Sequence, residues 1–171
     1  DFKNWQTIGQ FYYELNKDRD SLSPEMQHRV SQMIQGLGSN RAKIDTLYRF
    51  MQNSCRYVSI QLGIGGWQTE AATEVEKNQY GDCKALTNYM KALLKSAGIT
   101  AFQALVYGDD DGAPPLFDEA PIPIFNHMIL YIPEEKMWLE CTSQTAPMGY
   151  LGSFTSNRPA LLLLPEGGKK V

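Results

Sequence analysis

The chain has 171 residues, 43% of them hydrophobic and 11% aromatic, which suits a single domain built around one core. Its formal charge of −3 and pI near 5.4 leave no basic face, so the electrostatic case for nucleic acid or an anionic membrane as partner is excluded. The longest apolar stretch, Ala160 to Pro165, is far too short to span a bilayer, and the N-terminus does not resemble a signal peptide. Because it begins at Asp1 and ends in Gly167-Gly168-Lys169-Lys170-Val171, the chain is expected to be one domain, residues 1–171, of a longer protein whose other domains are its neighbours.

In chain order, Trp5, Ile8, Phe11, Tyr12 and Leu15 recur at helical spacing. Ser23 as N-cap and Pro24 in the first turn start a second helix that runs to Gly36. Ser39 caps a third, with Ile44, Leu47, Tyr48 and Met51 as its buried stripe and a break near Asn53 and Ser54. Arg56 to Ile60 reads as a short strand. Gly63, Gly65 and Gly66 then form a loop before Trp67 and Gln68, either a site element or an ordinary connection. A short helix over Thr73 to Lys77 precedes Tyr80-Gly81-Asp82-Cys83-Lys84, which opens a helix with Leu86, Tyr89, Met90, Leu93, Leu94 and Ala97 on one face and Gly98 as terminator. Three strand-like segments follow: Ile99 to Tyr107, Asn126 to Ile132 and Met137 to Thr142. Beyond Pro147 the chain reads as irregular, with Ala160 to Leu164 an edge strand or the start of a following segment. Helices first and antiparallel strands second predict an α+β domain.

Three cysteines, Cys55, Cys83 and Cys141, are an odd number with no close pairing, which argues against a disulfide framework and a metal knuckle. Cys55 and Cys141 lie in apolar stretches and read as small buried hydrophobes. Cys83 differs in standing at the first turn of its helix, where unpaired amides and the macrodipole favour an anion. Gly81 lets the chain turn into that helix and leaves room for a substrate backbone. A nucleophile fits there, and the plain alternative is a buried cysteine that merely starts a helix.

A thiol nucleophile needs a base that takes its proton and returns it to a leaving group. Of two histidines, His28 lies in a polar helical stretch and reads as solvated, whereas His127 opens an apolar strand. Pro133-Glu134-Glu135-Lys136 reads as a turn, setting Glu140 on the neighbouring antiparallel strand. A turn centred between Pro133 and Glu134 sets Glu140 directly opposite His127; a register shifted by two sets it diagonally on the same face. A carboxylate between Leu139 and Cys141 is costly unless partnered, and a histidine is a natural partner, with a solvated sheet-edge carboxylate as the alternative. A metal site of Cys83, His127, Glu140 and Cys141 is disfavoured, since alternation points Glu140 and Cys141 to opposite faces. The run Asp109-Asp110-Asp111-Gly112 lacks the distal glutamate of a calcium loop. No metal and no cofactor is called for.

Tyr80-Gly81-Asp82-Cys83-Lys84-Ala85-Leu86, Leu93-Leu94-Lys95-Ser96-Ala97-Gly98-Ile99, Asn126-His127 and Trp138-Leu139-Glu140-Cys141-Thr142 together resemble the transglutaminase-like superfamily, related to papain-like proteases. The likeness covers about residues 42–152, and Gln61 to Gln68 is similar to a bacterial branch in exported proteins, where this domain follows a β-rich one. The resemblance implies a papain-like core, a triad of Cys83, His127 and Glu140, and acyl transfer on peptide or protein amides by hydrolysis or transamidation. It also implies an exported location, periplasmic or at the cell surface. The third member is usually aspartate, so Glu140 is a departure one methylene longer. The Cys83 amide supplies one oxyanion donor, and Trp67, Gln68 and Gln61 are candidates for the other. The competing expectation is a catalytically silent binding or scaffold module.

Overall fold

The computed structural model describes residues 2–59, 62–119 and 121–171. Helices α1 (Trp5–Asn16), α2 (Pro24–Ile34), α3 (Asn40–Ser54), α4 (Ala72–Asn78) and α5 (Cys83–Ser96) precede most of the sheet. All but α4 start with a local cap: the side chains of Asn4, Ser23, Ser39 and Asp82 accept from backbone amides three residues on. Strands β1 (Arg56–Tyr57) and β2 (Tyr80–Gly81) form a separate parallel pair. The strand expected over Arg56 to Ile60 is thus only two residues long, with one further bond from the Val58 amide to the Gly81 carbonyl; Ile60 lies outside the described residues.

The main sheet contains β3 (Phe102–Val106), β4 (His127–Ile132), β5 (Met137–Leu139), β6 (Ala160–Leu164) and β7 (Gly167–Lys170), in the order β5-β4-β3-β6-β7 and antiparallel throughout. The expected α+β architecture, helices against an antiparallel sheet, is therefore present. The region after Pro147 is more regular than its sequence suggests: a short helix α6 (Gly152–Thr155) leads into β6, which is interior to the sheet and pairs with β3 and β7. Its unbroken apolar run suits a strand covered on both faces better than an edge.

One face of β4 presents Met128, Leu130 and Ile132 to the helices, while Ile129 packs with Ala104, Val106, Ala160 and Leu162 on the other. The core between helices and sheet is filled by Tyr48, Met51, Tyr89, Met90, Leu93, Leu94 and Leu130. Ile8 and Tyr12 of α1 are buried, but Phe11, expected on the same stripe, is exposed. α1 lies on β6 and β7 at very close range. A Cβ at Gly9 would overlap the Gly168 backbone, and a Cβ at Gly168 would overlap the Trp5 carbonyl. Glycine is required at both positions so that helix and strand can meet backbone to backbone.

Candidate active site

α5 is aimed by the residues just before it. Asp82 accepts from the Ala85 amide at 3.0 Å with one oxygen and pairs with Lys84 Nζ through the other, and both side chains are buried. A Cβ at Gly81 would come within 2.6 Å of the Ala85 Cβ, so glycine allows the tight entry into the helix. Cys83 is thereby held as the first helical residue, 3% exposed. The amides of Cys83 and Lys84 have no acceptor among the described residues, as the first turn of a helix requires.

His127 is the first residue of β4, held from both sides in sequence. Asn126 accepts from the Gly108 amide at 2.6 Å and donates to the Gly108 carbonyl at 3.0 Å, extending the pairing with β3 by one side chain. Beyond it the ladder pairs Tyr131 with Trp138 and Leu130 with Leu139. Continued past the end of β5, this register sets Glu140 beside Ile129 and diagonal to His127, the second of the two registers read from the sequence. Glu140 lies one residue beyond the strand expected to contain it, where its backbone is free of the ladder and its carboxylate can turn to the ring.

The carboxylate and imidazole are in contact. His127 Nε2 lies 3.0 Å from Glu140 Oε2 and 3.2 Å from Oε1. Glu140 is further fixed by the Thr142 amide at 3.0 Å and hydroxyl at 2.7 Å, both donating to Oε1, and by the Thr155 hydroxyl at 3.4 Å on Oε2. The Tyr48 hydroxyl donates to the Glu140 carbonyl at 2.7 Å, tying the hairpin to α3. With Nε2 engaged, Nδ1 is the nitrogen left for the thiol. Cys83 and His127 line one small cavity of about 60 Å³ with Tyr12, Gly66, Lys84, Leu105, Phe125, Asn126 and Met128. Phe154 packs edge-on to the imidazole, with ring centroids 5.4 Å apart.

The charges reinforce each other. Burial by itself pulls the His127 pKa down, but its hydrogen bonds to Cys83 and Glu140 and the charge of both outweigh that and push it up to about 9. Burial alone would raise Glu140, yet His127 and the Thr142 donors hold it below its ordinary value. Cys55 and Cys141 sit elsewhere in the core, where burial pushes both thiols up.

Of the three side chains considered as oxyanion donors, Gln61 lies outside the described residues. The Gln68 amide donates to the Leu15 carbonyl at 2.9 Å and so closes the glycine loop onto α1. Trp67 is half-exposed and packs on Phe11 and Tyr12. Neither is among the residues lining the cavity. Tyr80, the first motif residue, is on the surface in β2. Sequence reasoning passed over Asn126, Thr142 and Thr155 as positioning residues. Thr142 was findable, because a threonine two residues after an acid commonly bonds it locally.

The transglutaminase core family, described as the transglutaminase-like superfamily, matches residues 27–146, a span containing Cys83, His127 and Glu140. The chain belongs to the transglutaminase-like superfamily. Comparison with curated proteins gives no match. Two solved structures share the fold. A candidate protease from Parabacteroides distasonis superposes over 95% of this chain with a TM-score of 0.68 at 15% identity. A candidate cysteine protease from Cytophaga hutchinsonii does so over 71% with a TM-score of 0.50, also at 15% identity. The chain spans 30% and 38% of those proteins, about a third of their length. Among the described residues, no helix of this superfamily member is long and apolar enough to cross a membrane.

Proposed function

We propose that this domain performs cysteine-dependent acyl transfer on peptide or protein amides through a thioester on Cys83. The observation that carries the reading is the meeting of Cys83 and His127 in one cavity, with Glu140 engaged on the far ring nitrogen. Cys83 Sγ attacks the amide carbonyl carbon, and the thiol proton resides on His127 Nδ1. The C–N bond then breaks as His127 passes that proton to the departing amine. Water or an acceptor amine attacks the thioester, giving its proton to His127; the C–S bond breaks and the proton returns to the thiolate. Glu140 fixes the tautomer and stabilises the imidazolium, and the extra methylene relative to aspartate is accommodated by its place beyond the end of β5.

The second reading, a silent binding or scaffold module, is favoured by one observation: a cavity of about 60 Å³ beside a nearly buried sulfur is too small for a peptide segment without movement of its walls. Alkylation by iodoacetamide, followed by mass spectrometry at each cysteine across pH in the wild type and His127→Ala, separates the two. The enzyme reading expects Cys83 alone to react quickly near pH 6 and to slow at least ~10-fold without His127, with Cys55 and Cys141 as slow internal references. Reaction of Cys83 no faster than a free thiol in both proteins leaves the binding module.

A further inference from the structure

Acyl transfer requires two donors aimed at the oxygen of the tetrahedral intermediate, and the Cys83 amide is one of them. We propose that Tyr12 of α1 is the other, its phenolic hydroxyl donating to the oxyanion. This rests on the acyl-transfer reading of Cys83.

Tyr12 lines the same cavity as Cys83 and His127 although it lies outside the 27–146 span matched by the family. As a residue it is 7% exposed, and its hydroxyl makes no hydrogen bond to a protein group among the described residues; the oxygen is not sealed off, since the fully buried unpaired side-chain atoms there are Trp5 Nε1 and Asn88 Oδ1. A phenol whose ring is packed and whose oxygen still reaches solvent is satisfied by water, and a ligand atom entering the cavity can take that water's place. Burial pushes its pKa up to about 12, so the hydroxyl remains a neutral donor wherever His127 can act. Its ring is held rather than free: Trp67 lies against it with centroids 5.9 Å apart, and the Gln68 to Leu15 bond fixes the loop carrying Trp67 to the end of the same helix. These contacts give the exposed tryptophan a supporting place. Trp5 has a sealed indole N–H without an acceptor, but it is not among the cavity-lining residues and packs against Phe125, which is.

Two reagents acting on one sulfur test this. Acylation by p-nitrophenyl acetate passes through an oxyanion, whereas alkylation by iodoacetamide does not. In the full chain, Tyr12→Phe keeps the ring and removes only the donor. Nitrophenolate release from Cys83 should slow on the order of 10²-fold, the usual effect of deleting one oxyanion donor, while the alkylation rate near pH 6 and the thermal midpoint stay at wild-type values. Equal acylation of Tyr12→Phe and wild type overturns the proposal and leaves the Cys83 reading standing. Parallel loss of acylation and alkylation also overturns it, because Tyr12 would then act on the thiol or the packing. If wild-type Cys83 alkylates quickly but gives no nitrophenolate that Cys83→Ala abolishes, both the acyl-transfer reading and this proposal fail.

Discussion

Two buried polar pairs flank Cys83. Asp82 and Lys84 are two residues apart on the entry to α5, and Asp82 also caps the helix. His127 and Glu140 are thirteen residues apart, brought together by a hairpin and by Thr142, Thr155 and Tyr48. The first pair ties the cap of α5 to a neighbouring cation within one turn of chain, so its work is to hold a helix end in place. The second contains the only buried group among the described residues with an ordinary pKa near neutrality. On the proposed acyl transfer, one pair positions the sulfur and the other manages its proton.

The largest effect expected from breaking this division is Glu140→Gln. The amide still accepts from Thr142, but its N–H₂ turned toward the ring favours the tautomer with Nδ1–H facing the thiol, the wrong form for a base. Acylation should fall ~10²- to 10⁴-fold, read by nitrophenolate release. The same variant should lower the His127 pKa from about 9, read from the imidazole NMR titration.

Stability follows the pair in a defined direction. Because folding raises the His127 pKa from 6.5 to about 9, its contribution is complete below pH 6.5 and is lost as pH rises through 9. Because folding lowers Glu140, its contribution is present above pH 4.5 and is lost as pH falls through the depressed value. Urea unfolding across pH should give a plateau that declines on both sides, and Glu140→Gln should flatten the alkaline decline.

Lys84→Met tests the other pair. It leaves a buried Asp82 without its cation and should cost about 3 kcal/mol in urea unfolding, but the alkaline decline between pH 6.5 and 9 should persist. Loss of that decline in Lys84→Met would mean that the two pairs are coupled. The smallest effect is expected for Phe154→Leu, which removes the edge-on contact with His127 at a cost of about 1 kcal/mol, measured the same way.

The two pairs also differ in how legible they were. The place of Cys83 at a helix start was legible, because Gly81 before an amphipathic run is a local signal, whereas the cap and ion pair of Asp82 came from the structure. The His127–Glu140 pairing required a register, and the turn at Pro133 to Lys136 allowed two; Lys136 at φ +48° and the Ile132 to Met137 pair select the diagonal one. β7 was unreadable, since Gly167-Gly168-Lys169-Lys170 has neither β-branched nor aromatic residues. Its glycines serve the helix above the strand, which no local pattern encodes. Tyr12 was hidden for the same reason. On its own helix it is one more buried aromatic, and only the seating of α1 on the sheet brings it to the wall of the cavity that Cys83 also lines.

That seating sets an order of events. Gly9 and Gly168 touch although they stand 159 positions apart, so α1 cannot dock on β7 until that much later strand has left the ribosome. During translation, Cys83, His127 and Glu140 are all made before the wall carrying Tyr12 can close over them. The cavity is therefore completed only after β7 has been made, and until then a nascent chain carries its thiol without the wall that α1 supplies.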